Sequence, residues 1–207
     1  MIDNLELMLF DFGGVLYNID HSRTLSALAN LSRNPENIKN ISLNKFTQEE
    51  ILINFEKGLI SPLTFREKIR EMYNIEATDE ELDRAWNLTL ISPIDNAFNI
   101  LSKIKSRYRI ALLSNTNEIH CEKFSSQCKE LLSLFEKVFY SFKMNCRKPE
   151  KRIFEEAIGI LSLPPNKILF IDDSIENVET AKQFSLNTYH INSNNTLSKL
   201  VRLYLNF

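Results

Sequence analysis

The chain has 207 residues, 43% of them hydrophobic, which allows a sizeable core and argues against a disordered chain. The formal net charge is −2 and no long basic run occurs, so nucleic acid or an anionic membrane is not expected as the main partner. No apolar stretch approaches a membrane span, and Asp3 and Glu6 interrupt any signal-peptide core, so a cytoplasmic location is expected.

In chain order, Leu7-Met8-Leu9-Phe10 is a short apolar run and predicts a buried strand over residues 5–11. It runs into Asp11-Phe12-Gly13-Gly14-Val15-Leu16, where two of the chain's four glycines stand in tandem. A carboxylate where a buried strand ends lies at the edge where open α/β sheets bind ligands. Glycines just behind it let the backbone turn sharply and approach a small anion.

From Tyr17 to Ile91 the apolar spacing, as in Leu25, Leu28, Ala29 and later Phe65, Ile69, Met72, predicts helix throughout. Breakers at Pro35, Gly58 and Pro62 divide it into roughly four helices. A helix is expected over 95–105, then a strand at Arg109–Ser114 that ends in Ser114-Asn115-Thr116-Asn117. A helix over 117–127 and a strand over 137–141 follow. Arg147-Lys148-Pro149-Glu150 opens a helix over 149–161, with Pro149 suited to its first turn. A strand over 167–172 ends in Asp172-Asp173-Ser174, with Ser174 placed to cap a helix over 175–184. A last strand is expected over 187–191. This alternation argues for α/β architecture: a Rossmann-like, three-layer parallel sheet. The scattered Cys121, Cys128 and Cys146 form no C-x-x-C pair and read as reduced thiols, the first two packed against the sheet.

The chemistry-bearing residues come in the order Asp, Ser/Thr, Lys, acidic pair, with three of the four at strand ends. That ordered set resembles the haloacid dehalogenase (HAD) superfamily over nearly the whole chain. Within it, D-F-G-x-V, S-N-T-N and K-P-E resemble the bacterial sugar-phosphate phosphatases of the α-D-glucose-1-phosphate phosphatase type. The resemblance implies a core domain formed by 1–16 and 93–207, with 17–92 inserted as an α-helical cap. An insert that leaves the sheet at its ligand-binding edge overhangs that edge, which suggests a lid.

By this resemblance Asp11 is the nucleophile that forms an aspartyl-phosphate, splitting one hard hydrolysis into two easier steps. Mg²⁺ is implied as cofactor, held by Asp11, the backbone carbonyl of Gly13, Asp173 and Asp172, all hard oxygen donors. Ser114 and the Asn115 N–H would bind the phosphoryl oxygens, and Lys148 would supply a compact positive charge. The implied partner is a small phosphorylated metabolite, and the implied assembly a monomer or homodimer. Gly13 departs from the superfamily pattern, which usually has a second Asp there as general acid and base. Losing such a group typically costs about 10²–10⁴-fold in rate. Asp20 or His21 is the expected replacement, unless the leaving group is good enough to need none. Arg23, with Trp86 and Phe55, is a candidate for the cap side of a pocket, and His120 for helix packing near the phosphate region. The alternatives are a 2-haloacid dehalogenase, which needs no metal and lacks the acidic pair, and a weak pseudo-phosphatase that only binds a phosphometabolite.

Overall fold

The computed structural model describes residues 4–193 and 196–205. The expected core segments therefore extend, at 1–3, 194–195 and 206–207, outside the described residues. The strand β1 (Leu7–Phe10) is buried along its whole length. A turn through the two glycines leads to the short strand β2 (Tyr17–Ile19). Six helices follow: α1 (His21–Leu31), α2 (Pro35–Lys39), α3 (Leu43–Thr47), α4 (Glu50–Glu56), α5 (Pro62–Tyr73) and α6 (Asp79–Trp86). One 3₁₀ turn then leads into β3 (Leu90–Pro93), which pairs antiparallel with β2.

The insert is thus not helical throughout, as its spacing predicts. A two-stranded ribbon forms its root, and strands this short reveal their pairing only when both ends meet in space. Six helices replace the expected four because polar caps divide the pattern where no Pro or Gly stands. Ser42 caps α3 through the backbone N–H of Lys45, and Thr78 and Glu81 form a reciprocal capping box on α6.

The remaining elements are α7 (Ala97–Lys105), β4 (Arg109–Ser114), α8 (Glu118–Gln127), α9 (Lys129–Leu132), β5 (Lys137–Tyr140) and α10 (Ser141–Met144). Then come α11 (Lys151–Leu161), β6 (Ile168–Asp172), α12 (Ile175–Gln183), β7 (Asn187–His190) and α13 (Leu197–Leu205). Two local expectations shift. Ser141 leaves the strand because its Oγ donates to the Thr116 carbonyl and accepts from the Thr116 N–H. Pro149 precedes α11 instead of standing in its first turn, because the Asn115 side chain clips the backbone of Lys148 on both sides.

The strands β1 and β4 to β7 form one parallel sheet in the order β5-β4-β1-β6-β7. Alternate residues supply its two apolar faces. Met8, Phe10, Ile110, Leu112, Leu169 and Ile171 point into one core layer, and Leu7, Leu9, Ala111, Leu113, Ile168 and Phe170 into the other. Cys128 is buried in the first layer with Cys121 against it. The cap has a separate core that includes Leu28, Phe55, Phe65, Ile69 and Trp86. Among the described residues no helix is long and apolar enough to cross a membrane.

Candidate active site

With β1 central, the chain runs first to β4 and β5 on one side and then to β6 and β7 on the other. The crevice past the carboxyl ends of β4, β1 and β6 is therefore the topological switch point, where open α/β sheets bind ligands. Ser114 ends β4, Asp11 follows β1, and Asp172 ends β6. All three are buried.

Lys148 reaches between them from the loop before α11. Only 1% exposed, its Nζ donates to Asp11 Oδ1 at 2.7 Å and to Asp172 Oδ2 at 2.6 Å. Asp172 is held further by the Ser174 N–H on Oδ1 at 2.8 Å and by Asn177 Nδ2 on both oxygens. Ser174 stands at the N-cap of α12, but its hydroxyl makes no capping hydrogen bond, and its N–H donates to Asp172. Asp173 is the most exposed of the three acids. Gly14, at φ 75°, leaves the space its carboxylate fills, since a Cβ there would collide with Oδ2.

The electrostatics are unbalanced. Burial raises the Asp11 pKa to about 7, against the pull of Lys148, and Asp172 and Asp173 add repulsion. Burial also raises Asp173, with Asp172 beside it adding to the shift. Burial opposes the charge on Lys148, but Asp11 and Asp172 outweigh it and raise the pKa. Oxygens of Asp11, Asp172 and Asp173 lie within 4.8 Å of one another. Three carboxylates against one ammonium leave a charge of −2, and the donors are all hard oxygens. That set fits a divalent cation of the Mg²⁺ type, whose charge would let all three acids ionise together.

A cavity of about 470 Å³ opens from this cluster toward the cap, within the usual range for small-molecule sites. Asp11, Gly13, Ser114, Asn115, Lys148 and Asp173 line its floor, so the six are brought together. Asn115 has a second task, since its side chain fixes Lys148 through Nδ2 to the Lys148 carbonyl and through Oδ1 from the Lys148 N–H, both at 2.8 Å.

The cap-side candidates separate. His21 lines the cavity, with Nδ1 3.1 Å from Thr89 Oγ1, and burial lowers its pKa although Asp20 opposes this. Asp20 caps α1 by accepting from the Ser22 N–H and hydroxyl, and it is not part of the lining. Arg23 is exposed, because the helical phase that turns His21 and Thr24 to the cavity turns Arg23 outward. Phe55 is buried in the cap core, stacked on Phe65, while Trp86 belongs both to that core and to the cavity wall. His120 stacks on Trp86 at 5.1 Å, with Nε2 3.2 Å from the Trp86 carbonyl and Nδ1 3.0 Å from Asn117 Nδ2. Burial lowers its pKa to about 4, so it packs as a neutral ring.

Sequence reasoning missed Asn177, Ser141, Glu56 and Arg147. Asn177 lies five residues after Asp172, in the first turn of α12, and its amide reaches back to the Asp172 carboxylate at the strand end. Glu56 and Arg147 belong to different elements and carry no local signal.

A family model for haloacid dehalogenase-like hydrolases matches residues 5–185. The chain belongs to this family. The hydrolase is 30% identical over 195 residues to the D-ribitol-5-phosphate phosphatase of Bacteroides thetaiotaomicron, with 91% of each chain covered. A HAD family enzyme of the same organism, solved with magnesium and inorganic phosphate, superposes with a TM-score of 0.83 at 33% identity. That match covers 95% of this hydrolase and 98% of the solved chain. The L-2-haloacid dehalogenase of Xanthobacter autotrophicus shares the fold, with a TM-score of 0.65 at 18% identity over 98% of this chain and 83% of its own.

Proposed function

We propose that this hydrolase is a Mg²⁺-dependent phosphatase that acts on a small phosphorylated sugar or sugar alcohol through an aspartyl-phosphate on Asp11. The observation that carries the reading is Lys148, whose Nζ bridges Asp11 and Asp172 beside a third carboxylate, Asp173. A carboxylate nucleophile, a buried ammonium and a hard-oxygen donor set suit a phosphoryl group, whose charge must be offset as it transfers. The phosphatase activity of the Bacteroides relative supports the same class.

Asp11, the Gly13 carbonyl, Asp173 and Asp172 would hold Mg²⁺. The bound ion would supply charge neutralisation for the phosphoryl oxygens and for Asp11. Lys148 grips Oδ1 of Asp11, and Oδ2 has no hydrogen-bond partner among the described residues. In the first step a carboxylate oxygen of Asp11 bonds to phosphorus while the ester P–O bond breaks and the leaving oxygen takes a proton. In the second step water attacks phosphorus, releasing inorganic phosphate and restoring Asp11. Ser114 contributes its hydroxyl to the phosphoryl oxygens, and Lys148 keeps its charge against them throughout. The acidic pair favours this chemistry over attack at carbon, where no metal is needed.

The test is turnover of a panel of sugar phosphates, alditol phosphates, nucleotides and p-nitrophenyl phosphate, with and without Mg²⁺. Release of phosphate that needs Mg²⁺ and vanishes in Asp11→Asn is expected. A panel with no turnover would leave a binding protein, and turnover that survives Asp11→Asn would remove the nucleophile.

A further inference from the structure

Above the phosphate floor the cavity wall holds an unusual ion pair. Glu56 ends α4 in the cap, and Arg147 directly precedes Lys148 in the core. Their side chains, 25% and 16% exposed, meet at 3.2 Å between Oε2 and Nε. The contact lacks hydrogen-bond alignment, so both of these buried atoms remain without a hydrogen bond. Among the described residues neither side chain makes another hydrogen bond, yet both line the cavity. A buried acceptor and donor in this state normally find a partner, and the remaining carboxylate and guanidinium atoms belong to side chains that border the ligand space.

Other contacts also hold the end of α4 in place. Lys57 and Glu150 form a second ion pair at 2.8 Å, and Asn145 Nδ2 donates to the Lys57 carbonyl. Gly58, at φ 64°, lets its backbone approach so closely that a Cβ would clash with the Phe142 carbonyl. These contacts dock the end of α4 onto the core segment that leads into Lys148. Glu56 and Arg147 are thereby set side by side with spare donors and acceptors. Their charges cancel, so this part of the cavity suits a neutral polar group rather than a second anion or a cation. Thr47 and Gln48 add a hydroxyl and an amide to the same cavity wall.

We infer that Glu56 and Arg147 are the specificity pair for a polyhydroxylated substrate, Glu56 accepting from and Arg147 donating to hydroxyls on the end of the molecule away from the phosphate. The inference rests on the phosphatase reading for the phosphate end. Hydrogen bonds to buried charged groups are typically worth about ten- to a hundredfold in affinity.

The test is calorimetric binding in the presence of Mg²⁺, using Asp11→Asn protein so that ligands are not turned over. The ligands are a pentitol 5-phosphate, n-pentyl phosphate of matching length without hydroxyls, and inorganic phosphate. We expect the pentitol phosphate to bind at least about tenfold tighter than pentyl phosphate. Glu56→Gln should erase most of that preference while leaving the affinity for inorganic phosphate within about twofold. Arg147→Lys keeps the charge, loses the planar fork, and should reduce the preference as well. An unchanged preference in both variants overturns the inference. So does an equal loss for all three ligands, which would mark a structural latch. Failure of the phosphatase reading looks different: the unsubstituted enzyme would release no phosphate from any ester, whatever the binding preference.

Discussion

Gly14 and Asp173 share one space: the Cβ that any other residue would place at position 14 falls on the Asp173 carboxylate. The tandem glycines thus do more than turn the chain after β1. Gly13 lines the cavity floor, and Gly14 makes room for an acid arriving from β6. Gly14→Ala should displace Asp173 and strain a backbone at φ 75°. We expect Mg²⁺ affinity to fall about 10–100-fold, the usual range when a ligand's support is lost. Calorimetric titration with Mg²⁺ measures it, and an unchanged affinity would take Asp173 out of the metal site.

Lys148 neutralises two buried acids at once. Lys148→Met should therefore damage both stability and chemistry. Removing one partner of a buried ion pair costs about 3–5 kcal/mol, because it strands the other charge. We expect a loss of that size in urea unfolding of metal-free protein, and a smaller loss with Mg²⁺ present. Turnover should fall by about 10²–10³-fold, as for other lost electrostatic groups at a reacting centre. A destabilisation below about 1 kcal/mol without metal would show that the acids are not charged together in the folded state.

The floor of this site was legible in the sequence for a physical reason. Parallel strands buried on both faces read as continuous apolar runs, so 7–10, 109–114 and 168–172 announce themselves, and so do the polar residues at their ends. The ribbon of β2 and β3 was not legible. Tyr17-Asn18-Ile19 is too short to show a period and meets Leu90–Pro93 only through folding. Nor was the supporting shell. Asn115 clips Lys148, Asn177 grips Asp172, and Glu56 faces Arg147 across the cap–core boundary, and each contact joins groups that share no motif. Asp20 and His21 show the opposite failure. They are neighbours in sequence, yet Asp20 is the N-cap in extended backbone, its side chain turned back onto the Ser22 N–H, while His21 is the first helical residue and faces the cavity.

His120 should make the cap–core contact sensitive to acid. Its pKa is lowered by burial to about 4, whereas in the unfolded chain it lies near the ordinary histidine value of 6.5. Between these values the unfolded state binds the extra proton, so stability rises with pH through that window. The contribution is complete above about pH 6.5 and lost as pH falls through about 4. It amounts to at most about 3 kcal/mol, and to less as far as the ring is partly exposed. Denaturant unfolding from pH 7 to pH 4 should show a steeper decline in the wild type than in His120→Gln. Parallel declines would show that the ring is not held neutral against Trp86.

The last prediction concerns proton delivery at Gly13. A Cβ there would stand 3.1 Å from Ile19 Cδ1, so the tip of an apolar side chain fills the space beside the position where relatives of this superfamily usually carry an acid. No strained φ forbids a side chain at residue 13, and the obstacle is that one methyl group. Without an acid, the rate should follow the basicity of the leaving oxygen. A hexose 1-phosphate should then turn over with a kcat at least about tenfold above that of the matching 6-phosphate, whose alkoxide is the poorer leaving group. Gly13→Asp with Ile19→Val supplies a carboxylate and the room for it. That double variant should speed the 6-phosphate more than the 1-phosphate and bring the ratio toward one. Comparing kcat removes the part of the difference that lies in ground-state binding. If the wild-type kcat values are equal and the double variant leaves them so, the leaving group is not the answer. The proton would then come from the cap side, where His21 and Glu56 are titratable groups on the cavity wall and His21 is the one tested. His21→Gln should in that case cost about 10²-fold or more in kcat on both substrates, whereas under the leaving-group account it changes kcat by less than about threefold.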